Sequence, residues 1–307
     1  MARPTGRRRR TTKTWRPISR SWLRCSLAPV VALGSLGAAV VLAGCGGASR
    51  SSGSGASAGL PDTPDYHSLL VDPSDTDALT LGTHAGLFTS GDGGRSWRPA
   101  TLPGQDAMNL VRTHGALWVA GHSVLARSAD GGTTWQTVRP RGLPSLDVHG
   151  FAASPGGGEL VAAVAGEGLY RSTDGGKSFT VASRQVGGSV FGLAVMPSGE
   201  VLAADTSQGL LASDDAGHSW RRLTGEPVLG VAINPKDPRT VLATGKGIYR
   251  SADAGRTWTR VRDIAQGAGP VAWSPSAAKI AYVVGFDRTL YRTDDGGTKW
   301  LPVGRGT

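Results

Sequence analysis

The sequence predicts an all-β chain: a six-bladed β-propeller of four-stranded antiparallel blades, behind a cleaved signal and a flexible tether. Three observations predict it. A short motif with a central Asp recurs six times at near-constant spacing, and apolar stretches of strand length fill each interval. In addition, 46 of the 307 residues are Gly, about twice the usual share, spread so evenly that long helices are interrupted. The glycines have no three-residue period, which excludes a collagen-like chain.

The net charge of +10 belongs to the first residues rather than to the folded part. Residues 1–44 carry nine cations, Arg7 to Arg10 among them, and no acid, which leaves 24 Lys and Arg against 23 Asp and Glu in the remainder. A nucleic-acid-binding domain would keep its basic patch in the fold, so that class is excluded.

Residues 1–44 read as an export signal. A basic region ends near Arg24, and an apolar stretch of residues 27–42, broken by Pro29, Gly34 and Gly37, follows it. That stretch is short for a spanning helix of about 20 residues. It runs into Leu42, Ala43, Gly44 and Cys45, which resembles the lipobox of bacterial lipoproteins. The resemblance implies that Cys45 is lipidated as the first residue of the mature chain, held at the cell membrane on its extracytoplasmic face; two or more acyl chains anchor stably where one does not. Arg9 and Arg10 leave a general and a twin-arginine export route both open. Cys25 would leave with the signal, so the mature chain offers no disulfide and no cysteine nucleophile. From Cys45 to residue 64 the chain is expected to be a lipidated tether, nearly all Gly, Ser and Ala over 46–59.

The propeller is expected over residues 65–307. Its motif occupies residues 90–97, 128–135, 172–179, 213–220, 251–258 and 293–300, with the aspartates at Asp92, Asp130, Asp174, Asp215, Asp253 and Asp295. Each unit closes on an aromatic ring: Trp97, Trp135, Phe179, Trp220, Trp258 or Trp300. The Asp accepts from backbone N–H groups of a tight turn, the Gly takes positive φ, and the ring packs between neighbouring sheets. Upstream of each motif lie two further apolar segments, as at 117–120 and 241–244, and a first strand that often ends at a Pro. Four short strands in a period near 40 residues mean propeller blades. Each blade is continuous in sequence, so no strand is borrowed across the ring closure unless the tether supplies one.

The motif S-x-D-x-G-x-[ST]-W resembles the Asp-box (BNR) repeat of sialidase-like and related propellers, with Lys299 departing from it in the last copy. The resemblance implies that the boxes are peripheral and architectural. A calcium-loop reading is weak, because each turn offers only one or two carboxylates.

Function is expected where the repeats differ. The register that opens the first strand holds Asp65, Asp106 and Asp147 in blades 1 to 3, against Ser189, Pro227 and Gly267 in blades 4 to 6. Two places on stand His67, Met108 and His149, against Phe191, Leu229 and Gly269. The connection between second and third strands holds His84, His122, Gly166, Ser207, Gly245 and Asp287. An up-and-down blade brings both registers to one end of the sheet, so four histidines, Met108 and three aspartates should line the channel mouth. Imidazole, carboxylate and thioether would take Cu or Zn; the same groups would equally line a wet channel or hold an organic ligand.

Three functions follow. The first is a lipid-anchored propeller, monomeric, that binds a ligand or an extracytoplasmic protein or glycan at its mouth. The second is a sialidase-like glycoside hydrolase, implied by the resemblance. That chemistry needs an Arg triad and a Tyr–Glu pair, whereas Arg171, Arg250 and Arg292 share one repeat position beside the box, and Tyr170, Tyr249 and Tyr291 another. The third is an assembly or scaffold factor.

Overall fold

The computed structural model describes residues 57–102 and 104–304. Residues 1–44 and the lipidation candidate Cys45 lie outside the described residues. No helix among those described is long and apolar enough to cross a membrane; all regular structure there is β.

Six sheets follow one another along the chain, each antiparallel with four strands in sequence order from inside to outside, and the first sheet has one further strand at its outer edge. Blade 2 is typical: Asn109–Thr113 innermost, then Ala116–Gly121, Val124–Ser128 and the short outer Gln136–Thr137. The second strands are buried on both faces, as in Leu160–Val164 and Ala281–Gly285. Such strands read as unbroken apolar runs rather than alternating ones.

The core is divided among the interfaces between blades. Trp118, Phe151 and Tyr170 join blades 2 and 3; Leu202, Leu210 and Val241 join blades 4 and 5. Leu69, Leu81, Tyr282 and Leu290 join blade 1 to blade 6 and so close the ring. Fully buried leucines such as Leu81, Leu125 and Leu210 each contribute roughly 1.5–3 kcal/mol. At the axis the inner strands approach closely: a Cβ on Gly230 would stand 2.5 Å from the carbonyl oxygen of Gly269 in the next blade.

The propeller starts earlier than residue 65. Ser57–Ala58 adds a fifth strand to the outer edge of blade 1, pairing with Ser96 and Trp97. From there the Gly59 N–H donates to Arg95 O at 2.8 Å, and Leu60 joins the cluster between blades 1 and 6. Arg288 of blade 6 reaches Asp62 at 3.0 Å. The expected tether therefore becomes packed chain by residue 57, because Leu60 and Tyr66 are apolar side chains with a seam to fill.

The boxes form the turns between third and fourth strands. In the first, Ser96 N and Oγ donate to the two Asp92 carboxylate oxygens at 2.9 and 2.5 Å, Ser90 Oγ donates to Asp92 at 2.7 Å, and Trp97 Nε1 donates to Gly94 O at 3.0 Å. Partial burial opposes the ionised form of Asp92, and the bonds from Ser96 and Ser90 outweigh it, lowering its pKa to about 2. The same bonds recur at Asp130, Asp174, Asp215 and Asp253. Asp295 keeps the backbone bond from Lys299 at 2.9 Å without a hydroxyl at that position. The rings do not pack alike: Trp97, Phe179 and Trp300 are buried, whereas Trp135, Trp220 and Trp258 are half-buried.

Candidate functional site at the channel mouth

The mouth is built from strand starts and hairpin connections, and β-bulges aim its side chains. In blade 3, Val148 pairs with Val164 and Gly150 with Ala163, so His149 is the extra residue. Phe191 in blade 4 and Leu229 in blade 5 are extra in the same way. A bulge turns its side chain out of the regular alternation. These three, with His67 and Met108, line a cavity of about 150 Å³ at the axis, closed on the far side by Gly269, Pro270 and Phe286. Met108 is buried in its wall.

Above this ring the aspartates and histidines of blades 1 to 3 form one arc. Asp65 Oδ2 lies 2.5 Å from His84 Nδ1, and Asp65 Oδ1 3.2 Å from His67 Nε2. His67 Nε2 and His84 Nδ1 are 3.4 Å apart. Asp106 Oδ2 accepts from the His122 backbone N–H at 3.1 Å and from His122 Nδ1, and stands 3.5 Å from His84 Nε2. Asp147 Oδ1 lies 3.3 Å from His149 Nε2 and 3.7 Å from His122 Nε2. Successive imidazole centroids are 4.2, 5.7 and 5.1 Å apart, and His149 stacks on Phe191 at 5.2 Å. All eight mouth residues singled out in the sequence thus converge. Each carboxylate of blades 2 and 3 stands between an imidazole of its own blade and one of the preceding blade.

Several of these polar atoms are buried without a hydrogen bond: one oxygen each of Asp65, Asp106 and Asp147, and both ring nitrogens of His149. The Asp147–His149 distance is short enough for an ion pair, but the alignment is wrong for a hydrogen bond. Burial pulls His67 below the usual imidazole range; Asp65 opposes that and His84 reinforces it.

The remaining candidates stand elsewhere. Asp287 is bound by the Tyr291 hydroxyl at 2.6 Å and by Thr289 N at 3.1 Å within its own hairpin. Arg171 pairs with Glu159, Arg250 donates to Gly296 O, and Arg292 pairs with Asp77 and Asp294. An Arg triad from these three does not form at the mouth. His114 contacts Gly156 O, away from the arc.

Sequence reasoning missed the other half of the mouth. A groove of about 460 Å³ runs over blades 5 and 6, lined by Leu229, Ile264 and Phe286 with Lys246 and Arg260. It shares Leu229 and Phe286 with the axial cavity. Its wall at 263–266 is the connection between blades, ahead of the register that opens at Gly267, and offers no repeated position to align.

Residues 67–209 match the family model described as photosynthesis system II assembly factor YCF48. A YCF48 structure bound to D1 peptide is 20% identical over 81% of this chain and 83% of that chain, with a TM-score of 0.53. YCF48 from Cyanidioschyzon merolae is 18% identical over 78% of this chain and 84% of that one, with a TM-score of 0.51. The GH74 xyloglucanase from Xanthomonas campestris is 18% identical with a TM-score of 0.56; it aligns with 78% of this chain, which spans only 45% of that enzyme. No curated protein matches in sequence. At these identities the likeness is one of fold.

Proposed function

Given that the chain is an Asp-box (BNR-type) six-bladed β-propeller, we propose that it is a lipid-anchored, extracytoplasmic binding protein that holds a segment of a protein partner across its channel mouth. The observation that carries this reading is the two-sided mouth. Imidazoles and carboxylates on blades 1 to 3 offer hydrogen-bond partners, while Leu229, Ile264 and Phe286 offer an apolar groove with Lys246 and Arg260. A pre-formed concave site with an apolar lining and a few convergent polar groups is the usual form of a ligand site. The D1 peptide bound to YCF48 supports a protein segment as the occupant, and the assembly-factor family model that matches residues 67–209 supports an assembly role as its use. Cys45 would hold the propeller at the membrane surface through the chain that precedes residue 57. A second reading, an ion in the polar half, is favoured by three Asp/His groupings whose ligand atoms lie within 4.8 Å of one another.

Photocrosslinking in intact cells tests the partner reading. A crosslinker at Gln266, in the groove, should give a discrete protein adduct that disappears with Phe286→Ala. The same crosslinker at Thr133, in a box turn on the opposite face, should give none. Equal labelling from both faces overturns the reading.

A further inference from the structure

We propose that the polar arc holds two divalent ions of the Zn(II) or Cu(II) class, one between Asp65, His67 and His84 and one between His122, Asp147 and His149, with Asp106 between them as the carboxylate that positions both exposed histidines. The inference rests on the reading of the mouth as a ligand-holding face and names the ligand of its polar half.

The distances carry the argument. Metal–ligand bonds of about 2.0–2.1 Å in a tetrahedral arrangement put the ligand atoms roughly 3.3–3.4 Å apart. In the first site His67 Nε2 lies 3.4 Å from His84 Nδ1 and 3.2 Å from Asp65 Oδ1. In the second, Asp147 Oδ1 lies 3.3 Å from His149 Nε2 and 3.7 Å from His122 Nε2. An ion at each centre needs little movement of the atoms around it.

Burial supplies an independent argument. A buried carboxylate oxygen or imidazole nitrogen without a hydrogen bond is costly. Asp65 Oδ1, Asp147 Oδ1 and His149 Nε2 are all in that condition, and all three are ligand atoms in the proposed sites. One cation at each centre would satisfy them together.

Asp106 explains which nitrogen each exposed histidine offers. Its side chain is only 10% exposed, and its Oδ2 is fixed by the His122 backbone N–H. Accepting the proton on His122 Nδ1 leaves the Nε2 lone pair for the second site. His84 Nε2 stands 3.5 Å from the same oxygen, and closing that gap to donate there would leave Nδ1 for the first site; loading that site would then hold the His84 proton on Nε2, freeing the Nδ1 that now faces Asp65 Oδ2. A carboxylate behind a ligating histidine is the usual outer-shell device, and here one carboxylate serves two sites. Three protein ligands leave a fourth position open at each ion, on the side where His84 and His122 face solvent. Two imidazoles and a carboxylate suit Zn(II) and Cu(II) alike.

The test is metal uptake by the purified full-length chain, stripped with chelator and titrated separately with Zn(II) and Cu(II). Two ions per chain are expected with at least one of the metals. His67→Gln should remove one ion and His149→Gln the other; if either fails to fold, the exposed His84→Ala or His122→Ala removes a ligand from the same site. Asp106→Asn should weaken both sites about 10–100-fold while leaving the melting temperature of the stripped protein unchanged. Fewer than two ions with both metals, both ions kept in the Gln variants, or full affinity in Asp106→Asn overturns the inference. Absent uptake with the groove adduct intact refutes the metal sites alone, whereas uptake without an adduct refutes the partner reading alone.

Discussion

Arg292 of blade 6 reaches Asp77 of blade 1 at 2.5 Å, across the seam where the chain's last sheet meets its first. Tyr282 adds its hydroxyl to the same carboxylate at 3.2 Å and to Thr76 O at 3.0 Å. Since no strand is exchanged between these two blades, closure depends on this polar cluster and on the apolar seam beneath it. Asp77→Ala is expected to cost about 1–3 kcal/mol by removing the carboxylate that Arg292 and Tyr282 share across the seam, although each keeps another partner, Asp294 and Thr76 O respectively. Asp263→Ala, which removes an exposed partner of Arg260, should cost at most about 1 kcal/mol. Thermal denaturation of the two variants distinguishes them; equal losses would deny the seam a special role.

The boxes predict an acid limit. Hydroxyl and backbone donors from Thr134 and Ser128 hold Asp130 at about 2, and those from Thr257 and Ser251 hold Asp253 at about 2. A carboxyl depressed in the folded state stabilises it fully above its unfolded value, about 3.9, and loses that contribution as pH falls through the folded value. Melting temperature should therefore fall between about pH 4 and pH 2, the window those values define. Asp130→Asn should melt lower than the parent at pH 7 and decline less steeply across that window. Parallel curves would show that the box carboxylates are not what acid attacks.

Two boxes carry alanine where the others carry glycine. Ala216 and Ala254 have φ of 62° and 61°, a left-handed conformation that costs an L-residue about 1–2 kcal/mol. Glycine relieves that strain and gives back about 0.4–1 kcal/mol through the freer unfolded chain. Ala216→Gly and Ala254→Gly should each stabilise by up to about 1 kcal/mol, a rise of about 2–4 °C in a melt. Unchanged or lower melting would place the cost elsewhere in the turn.

The anchor has its own test. Cys45→Ser should move the protein from the detergent phase to the aqueous phase on phase partitioning of cell extracts. A variant that still partitions with detergent and is normally processed would refute lipidation.

The repeated parts of this fold were legible because each box writes its hydrogen bonds into fixed residue types: Ser90, Asp92, Gly94, Ser96 and Trp97 each make a bond that their neighbours in sequence could not. The mouth residues were legible through alignment alone, since two registers of an up-and-down blade must share an end. The bulge that presents His149, Phe191 and Leu229 left no mark, because one extra residue beside a tight turn does not disturb a short apolar pattern. The groove left none either: Ile264 and Gln266 belong to a connection whose counterparts differ in every blade. The packing of Leu60 was hidden by the Gly- and Ser-rich sequence before it.

Ser57–Ala58 sets how the propeller would respond to pulling. Any mechanical load arriving along the chain from the N-terminal side enters at this two-residue strand, on the outer edge of blade 1. It is resisted first by the pairing with Ser96 and Trp97 and the bond from Gly59 to Arg95. Only when those peel would tension reach Leu60 and the seam with blade 6. The short strand would thus act as a mechanical fuse, yielding before the ring opens and sparing the mouth on the inner strands.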